Sequence, residues 1–252
     1  MSATSGVALG CLRRDPTCGQ NSADLGPLAV ALVIGCTVGA GAYALSQVRK
    51  PTRWVGRLVA RTMNLSHAAM SDWALGHVRI APDATVLDVG CGGGATIRKL
   101  AALAPLGKVH GVDHSRGSVA ESAAGNSALI GSGQVEIQLA SVSHLPFKDD
   151  EIDLATAFET QYYWPDPVND LKEILRVLKP GGTLLVAAEA YSRHDSGELQ
   201  ASVMKLLGSH VPSVEDERRL LTSAGFDSIQ VTTEPSKGWM CAMGRKREAP
   251  RG

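Results

Sequence analysis

Val86-Leu87-Asp88-Val89-Gly90-Cys91-Gly92-Gly93-Gly94 is the stretch of sequence that decides the fold. A short apolar run enters a cluster of glycines, and residues 95–104 follow with a helical pattern, so a buried strand turns directly into a helix. Glycines permit the tight turn and let a ligand approach the backbone closely, and the helix N-terminus supplies free N–H groups. The stretch therefore predicts a ligand-binding turn.

Strands and helices alternate along the rest of the chain. The pattern predicts five strands, at residues 85–89, 109–112, 135–139, 152–158 and 183–188. It predicts further helices at residues 118–130, 167–178 and 214–224. Such alternation indicates βαβ units and a doubly wound, mostly parallel sheet. Two last strands, at residues 228–232 and 239–242, have no helix between them, so we expect an α/β fold that ends in an antiparallel hairpin at the sheet edge.

Composition divides the chain into five segments. Residues 1–24 are rich in small and polar side chains without periodicity, which predicts a disordered tail. For residues 25–47 the composition predicts a transmembrane or hydrophobic helix, and for residues 48–80 a helical lid or cap. We place the α/β domain at residues 81–247 and a short tail at residues 248–252.

The hydrophobic segment predicts a membrane anchor. No charged side chain occurs at residues 25–45, and about 20 such residues can span a bilayer as a helix. Arg49, Lys50, Arg53 and Arg57 follow it, which predicts that the C-terminal domain lies on the cytoplasmic side. Three alternatives stay open: a signal peptide cleaved near residues 42–44, a wrongly chosen start site, and a buried helix of a soluble cytoplasmic protein.

Charge and cysteine usage exclude several classes of partner. Lys+Arg and Asp+Glu both number 25, so the formal net charge is zero and offers no general attraction for nucleic acid. The five cysteines are irregularly spaced, without a CxxC pair or a zinc-like Cys/His cluster. We therefore expect free thiols, no metal site and no nucleic-acid partner.

Two aspartates close neighbouring predicted strands. Asp88 ends the first, where it could face the ammonium group of a ligand, and Asp113 ends the next, where a carboxylate can accept both hydroxyls of a ribose. The spacing Gly90-x-Gly92-x-x-Ala95 also fits the dinucleotide fingerprint, so these residues alone leave an NAD-dependent oxidoreductase open.

The ensemble of motifs resembles the class I S-adenosylmethionine-dependent methyltransferases, in particular the small-molecule branch related to ubiquinone and menaquinone biosynthesis enzymes. Beyond the glycine stretch, the matching motifs are Gly111-Val112-Asp113, Leu145-Pro146-Phe147, Phe158-Glu159-Thr160 and Arg176-Val177-Leu178-Lys179-Pro180-Gly181-Gly182. The resemblance implies a Rossmann-like fold and methyl transfer from S-adenosylmethionine to a small molecule. The hydrophobic N-terminal segment suggests that this acceptor is lipophilic.

The same resemblance implies positions for the cofactor. Around its methionine part it places Asp88 and the turn residues Gly90, Cys91, Gly92 and Gly94. Around the nucleoside it places Asp113, His114, Ser115, Ser141 and Val142, and it places Glu159 beside the sulfonium. The chain departs from the family at Ser141, where an acidic residue is usual, which puts that one contact with adenine in doubt.

Residues after the fourth and fifth strands, together with the predicted lid, are candidates for the acceptor pocket. They are Tyr162, Tyr163, Trp164 and Tyr191, with Asn64, His67 and Trp73 from the lid. The three aromatic residues after the fourth strand could equally pack beneath a loop. Methyl transfer needs a base only if the acceptor must lose a proton early, and our hypothesis is that Glu159 or His67 serves as that base.

Two other functions remain open. A nicotinamide-dependent oxidoreductase would need a proton donor such as a Tyr-x-x-x-Lys pair, which this sequence lacks. A non-catalytic protein that binds the cofactor, or none, is supported by Ser141 alone.

Overall fold

The computed structural model of the chain describes residues 68–189 and 213–248. The predicted N-terminal tail, the hydrophobic segment at residues 25–47 and residues 48–67 of the predicted lid lie outside these ranges. Within the two described ranges, no helix is both long and apolar enough to cross a membrane.

One mixed sheet of seven strands organises the described part of the chain. Its order is β3-β2-β1-β4-β5-β7-β6. The strands are β1 (Thr85–Val89), β2 (Lys108–Asp113), β3 (Val135–Leu139), β4 (Ile152–Phe158), β5 (Leu178–Ala188), β6 (Asp227–Glu234) and β7 (Trp239–Arg245). The first five are parallel, whereas β7 is antiparallel to both β5 and β6. The predicted mostly parallel sheet with a C-terminal antiparallel hairpin is confirmed.

The described residues also form six α-helices and one short 3₁₀-helix, of which the first α-helix precedes β1 and the others connect the strands. They are α1 (Ala68–Leu75), α2 (Ala95–Leu103), α3 (Arg116–Gly125), α4 (Ser127–Gly131), the 3₁₀-helix Gln161–Tyr163, α5 (Pro167–Val177) and α6 (Val214–Ala224). The prediction of a single helix at residues 118–130 is wrong, because the helix is interrupted at Asn126, between α3 and α4. Asn126 is buried, and its side-chain amide donates to the carbonyl oxygens of Gly94 (3.1 Å) and Ser122 (2.7 Å).

Apolar side chains cover both faces of the sheet. Successive residues of a strand point to opposite faces, so Leu87 of β1 packs in one core and Val86 in the other. The first core includes Ile174 of α5, and the second includes Leu100 of α2. Helices therefore bury both faces of the parallel strands, as a doubly wound fold requires.

The strand predicted at residues 183–188 begins earlier than expected. Residue Leu178 pairs with Ile152 and Thr183 pairs with Leu154, so the stretch Lys179-Pro180-Gly181-Gly182 bulges out of the ladder inside β5. A Cβ atom on Gly182 would lie 2.8 Å from the carbonyl oxygen of Lys179, a contact only glycine avoids. The motif is thus a bulge near the amino end of β5, at the opposite end of the strands from their carboxyl ends.

Strand order places a crevice at the carboxyl end of β1. The chain moves outward from β1 to β2 and β3 on one side, and continues with β4 and β5 on the other. The position between β1 and β4, where the direction of strand order reverses, is the switch point of the sheet. Open parallel sheets bind ligands there, outside the carboxyl ends of the strands.

Candidate active site

A cavity of about 270 Å³ lies at the carboxyl ends of β1, β2 and β4. Its walls come from the glycine turn after β1, from residues 112–114 and 140–142, from residues 158–160 and 163–165, and from α1 and the start of α2. The cavity therefore lies at the switch point of the sheet, where the glycine stretch predicts a ligand.

The glycine turn has two positions with different tasks. Gly90 and Gly92 have φ angles of 73° and 52°, which disfavour any residue with a Cβ atom. A Cβ atom on Gly90 would collide with the side chain of Thr160, whereas one on Gly92 would meet no atom within 4 Å. Gly90 thus lets the ends of β1 and β4 approach each other, and Gly92 leaves bare backbone beside the cavity.

Gly94 and Cys91 differ in their relation to the cavity. Gly94 precedes α2 with φ 77°, and a Cβ atom there would collide with the Ser122 hydroxyl, so it packs against α3 and does not line the cavity. Cys91 does line it, with its Sγ 3.9 Å from Ser122 Oγ. Burial raises the pKa of the Cys91 thiol well above its usual value, which does not suit a nucleophile.

Asp113 joins the end of β2 to the glycine turn. Its Oδ2 accepts from the backbone N–H of Gly92 (3.0 Å), and its Oδ1 accepts from that of Ser115 (2.8 Å). Each carboxylate oxygen keeps a further lone pair, and the residue lines the cavity. This geometry can accept two neighbouring hydroxyl groups.

Of the two residues after Asp113, one lines the cavity and the other does not. His114 lines the cavity and is exposed, with its Nδ1 3.7 Å from Asp113 Oδ1. Ser115 is buried outside the cavity lining, where its hydroxyl caps α3 by accepting from the N–H of Ser118 (3.4 Å).

Asp88 is a buried carboxyl that borders the same cavity as Asp113. It is 2% exposed, and the hydroxyl of Thr156 donates to its Oδ1 at 2.8 Å. Burial raises the pKa of Asp88 to about 7, and the hydrogen bond from Thr156 only partly opposes this effect. A cation in the cavity would favour the ionised form, so the position suits a positively charged ligand group.

Glu159 stands at the end of β4 in a strained backbone conformation. Its φ angle is 56°, which for a residue other than glycine costs about 1–3 kcal/mol and is typical of functional sites. Its N–H donates to the carbonyl of Ala187 (3.0 Å), and its Oε1 accepts from the N–H of Glu189. Burial raises the pKa of Glu159 to about 8, close to the range in which a carboxyl can exchange protons near neutrality.

Aromatic side chains form the wall after Glu159. Phe158, Tyr163 and Trp164 line the cavity, whereas Tyr162 is buried outside its lining. Trp73 does not reach the cavity, because it packs on the rings of His77 and Trp239. Asn64, His67 and Tyr191 lie outside the described residues.

Ser141 and Val142 border the cavity on the side of Asp113. The N–H of Ala140 donates to the carbonyl of Asp113 (3.1 Å), which sets this loop beside the end of β2. The Ser141 hydroxyl accepts from the N–H of Ser143 (3.2 Å), and as a hydroxyl it can also donate.

Residues of α1 and α2 form a further wall of the cavity that was not predicted from the sequence. Ser71 and Lys99 line the cavity, and Lys99 Nζ donates to the carbonyl of Ala68 (2.7 Å) and to Ser71 Oγ (3.0 Å) and pairs with Asp72 (2.5 Å). Lys99 follows the glycine turn by little more than one helical turn, and this spacing is the one signal that could have drawn attention to it.

We expect Asp88 to make the stability of the ligand-free chain depend on pH. Its pKa is ordinarily near 3.8 and rises to about 7 in the folded chain. The free energy of unfolding that depends on protonated Asp88 is therefore fully present below about pH 4 and is lost as the pH rises through 7. The Asp88→Asn variant cannot ionise, so its gain in melting temperature over the unsubstituted protein should grow from pH 4 to pH 7 and then level off. The exposed Asp83→Asn is the control, and an equal offset for Asp88→Asn at every pH would contradict the expectation.

Known proteins similar to this chain include methyltransferases. Residues 87–186 match the methyltransferase domain family. The chain is 34% identical over 160 residues to the O-methyltransferase cnsE of Penicillium expansum, covering 62% of this chain and 57% of that protein. It is 30% identical over 157 residues to cycloartenol-C-24-methyltransferase 1 of Oryza sativa subsp. japonica, covering 60% and 45%. The chain thus spans about half the length of these curated relatives.

Solved structures support the fold. The geranyl diphosphate C-methyltransferase of Streptomyces coelicolor A3(2) superposes with a TM-score of 0.60 at 15% identity, covering 71% of this chain and 77% of that one. A putative methyltransferase of Haloferax volcanii, solved with the activator Trm112, gives 0.65 at 22% identity, covering 75% and 94%. Residues 87–186 of this chain thus match the methyltransferase domain family, and the described residues share the Rossmann-like fold of these solved methyltransferases.

Proposed function

We propose that this protein is an S-adenosylmethionine-dependent methyltransferase that acts on a lipophilic small molecule. The observation that carries the proposal is the pair Asp88 and Asp113, which end neighbouring strands and border one cavity beside the bare backbone of Gly92. The family match of residues 87–186 supports methyl transfer over the nicotinamide-dependent alternative.

The residues of the cavity fit this cofactor chemically. Asp88 is buried with one hydroxyl partner, so an ammonium group in the cavity would provide the missing counter-charge. Asp113 is held by two backbone N–H groups and can accept the hydroxyls of a ribose. Ser141 and Val142 would border the base, since they lie beyond Asp113 in the same cavity.

Bound S-adenosylmethionine supplies a methyl group on a sulfonium, which is already a strong electrophile. The protein must therefore orient the acceptor and exclude water. Phe158, Tyr163 and Trp164 offer an aromatic wall for this purpose at the end of the cavity near Glu159. Glu159 is the described side chain best placed to take up a proton from the acceptor.

The aromatic wall and two of the similar proteins favour a lipophilic acceptor. One curated relative is named for cycloartenol, and one structural neighbour was solved with geranyl diphosphate. A ring or hydrocarbon chain could be buried against the wall of Phe158, Tyr163 and Trp164, because ligand pockets are lined mainly by apolar and aromatic side chains. An acceptor like those of ubiquinone or menaquinone biosynthesis is the narrower form of this proposal.

A titration separates the proposed function from its two alternatives. We expect calorimetry to show that S-adenosylhomocysteine binds and NAD does not, and that Asp113→Asn weakens S-adenosylhomocysteine binding about tenfold or more, because a charged acceptor is lost. Asp83→Asn, at an exposed position, is the matched control. Tight NAD binding without S-adenosylhomocysteine binding would overturn the proposal. Cofactor binding without methyl transfer to any extracted metabolite would favour the non-catalytic alternative.

We expect Glu159→Gln to slow methyl transfer about 100-fold, the usual contribution of a positioned base. Binding of S-adenosylhomocysteine should change little, because the amide keeps an oxygen for the N–H of Glu189. Turnover is measured with labelled methyl donor and an acceptor found by screening extracted metabolites, with the exposed Glu215→Gln as control. Unchanged turnover in Glu159→Gln would remove it as the base and leave His67 as the remaining candidate.

A membrane location for the substrate would suit the hydrophobic segment at residues 25–47. The segment lacks charged side chains from residue 25 to residue 45, and basic residues follow it, so the proposed orientation puts the catalytic domain in the cytoplasm. Fractionation of the full chain and of a chain lacking residues 25–45 tests this. The full chain should sediment with membranes and the shortened one should not; equal distribution would refute the anchor.

A further inference from the structure

We propose that Arg176, which does not line the cavity, is a positioning residue for the nucleoside end of the cofactor site. The inference rests on the proposed function, because it concerns the loop at residues 140–149, whose first three residues border the cavity next to Asp113. Arg176 would set the affinity for the cofactor by holding this loop in place.

The loop has little regular structure of its own. Its described backbone pairing is one isolated bridge between Ser141 and His144, and the N–H of Ala140 ties its start to Asp113. Val142, Leu145 and Phe147 are buried and anchor the loop to the core. Apolar contacts of this kind do not fix the direction of backbone carbonyl groups, so hydrogen bonds must do so.

Arg176, near the end of α5, supplies these hydrogen bonds. Its Nη1 donates to the carbonyl of Phe147 (2.9 Å) and to Asp149 Oδ1 (2.7 Å), and its Nη2 donates to the carbonyl of Leu145 (3.3 Å). One guanidinium therefore holds three acceptors spread over five residues of the loop. A lysine ammonium is a single point of charge and cannot reproduce this fork.

Two acidic residues on the same helix complete the arrangement. Glu173 accepts from Arg176 through both carboxylate oxygens, at 2.8 Å each, and its Oε1 also accepts from the N–H of Leu145 at 2.9 Å. Asp170 Oδ1 accepts from the hydroxyl of Ser143 at 2.6 Å. Side chains of Asp170, Glu173 and Arg176, spaced three residues apart on α5, thus hold the loop from Ser143 to Asp149.

The consequence is specific to one end of the cavity. Without Arg176, two loop carbonyls lose their charged donor and residues 140–142 gain freedom that a ligand must then remove. The glycine turn and Asp88 have no contact with Arg176 among its hydrogen bonds, so the methionine end should keep its geometry. Substitution of Arg176 should therefore weaken the binding of the nucleoside part of the cofactor and leave the binding of its methionine part unchanged.

The experiment compares two probes by calorimetry: S-adenosylhomocysteine and 5′-methylthioadenosine, which lacks the amino acid. We expect Arg176→Met to weaken both by the same factor, about tenfold, and Arg176→Lys to weaken both by about threefold, in line with the loss of charge-assisted hydrogen bonds. Amide exchange should become faster in residues 140–149 and stay unchanged in residues 85–94. Glu173→Gln tests the same loop if Arg176→Met does not fold.

The control is Lys179→Met, which removes an ion pair to Asp153 (2.8 Å) near the starts of β4 and β5. The described hydrogen bonds of the Lys179 side chain include none to residues 140–149. It should lower the melting temperature without changing either dissociation constant. The inference is overturned if the Arg176 variants lose stability but keep their affinities, or if they lose affinity for S-adenosylhomocysteine alone. Failure of the unsubstituted protein to bind S-adenosylhomocysteine would refute the proposed function itself, and this inference with it.

Discussion

The contact between the Asp113 carboxylate and the backbone of Gly92 is the constraint on which the site depends. It joins the end of β2 to the turn after β1, and the second oxygen of the same carboxylate fixes the start of α3 through Ser115. The carbonyl of Val112 accepts from the N–H groups of Gly90 and Cys91 beside it. The turn is therefore held open by the strand next to it, before any ligand contributes.

The site has a cost in stability. Asp88 and Glu159 are carboxyls that burial makes harder to ionise, and Glu159 is also held in a left-handed backbone conformation. Buried ionisable groups and strained backbone both lower the free energy of unfolding. Proteins retain such features mainly at functional sites. A cationic ligand would relieve the first, so binding and stability are linked through the protonation of these groups.

Motifs that are far apart in the sequence act as one unit in the fold. Leu145-Pro146-Phe147 lies in the loop beside the cavity, and Arg176 begins the motif that ends in Gly182. Hydrogen bonds from the guanidinium to the carbonyl groups of Leu145 and Phe147 join them directly. The second motif continues into the β5 bulge and so connects the loop to the sheet. Neither motif would be assigned a role from its residue types alone.

The sequence by itself determined the order and class of the elements, and the two aspartates beside the glycine turn, because apolar periodicity and strand ends are local features. The strands at residues 85–89, 135–139 and 152–158 have the predicted bounds, and Asp88 and Asp113 border one cavity. Only the tertiary structure decided that Asn126 breaks a helix, that Gly94 and Ser115 lie outside the cavity, and that Lys99 and Ser71 line it. The positions of Asn126, Gly94, Lys99 and Ser71 depend on contacts between residues more than 20 positions apart, and local pattern carries no information about such contacts. The hydroxyl of Ser115 instead caps α3 locally, and the residue type alone does not distinguish a helix cap from a ligand contact.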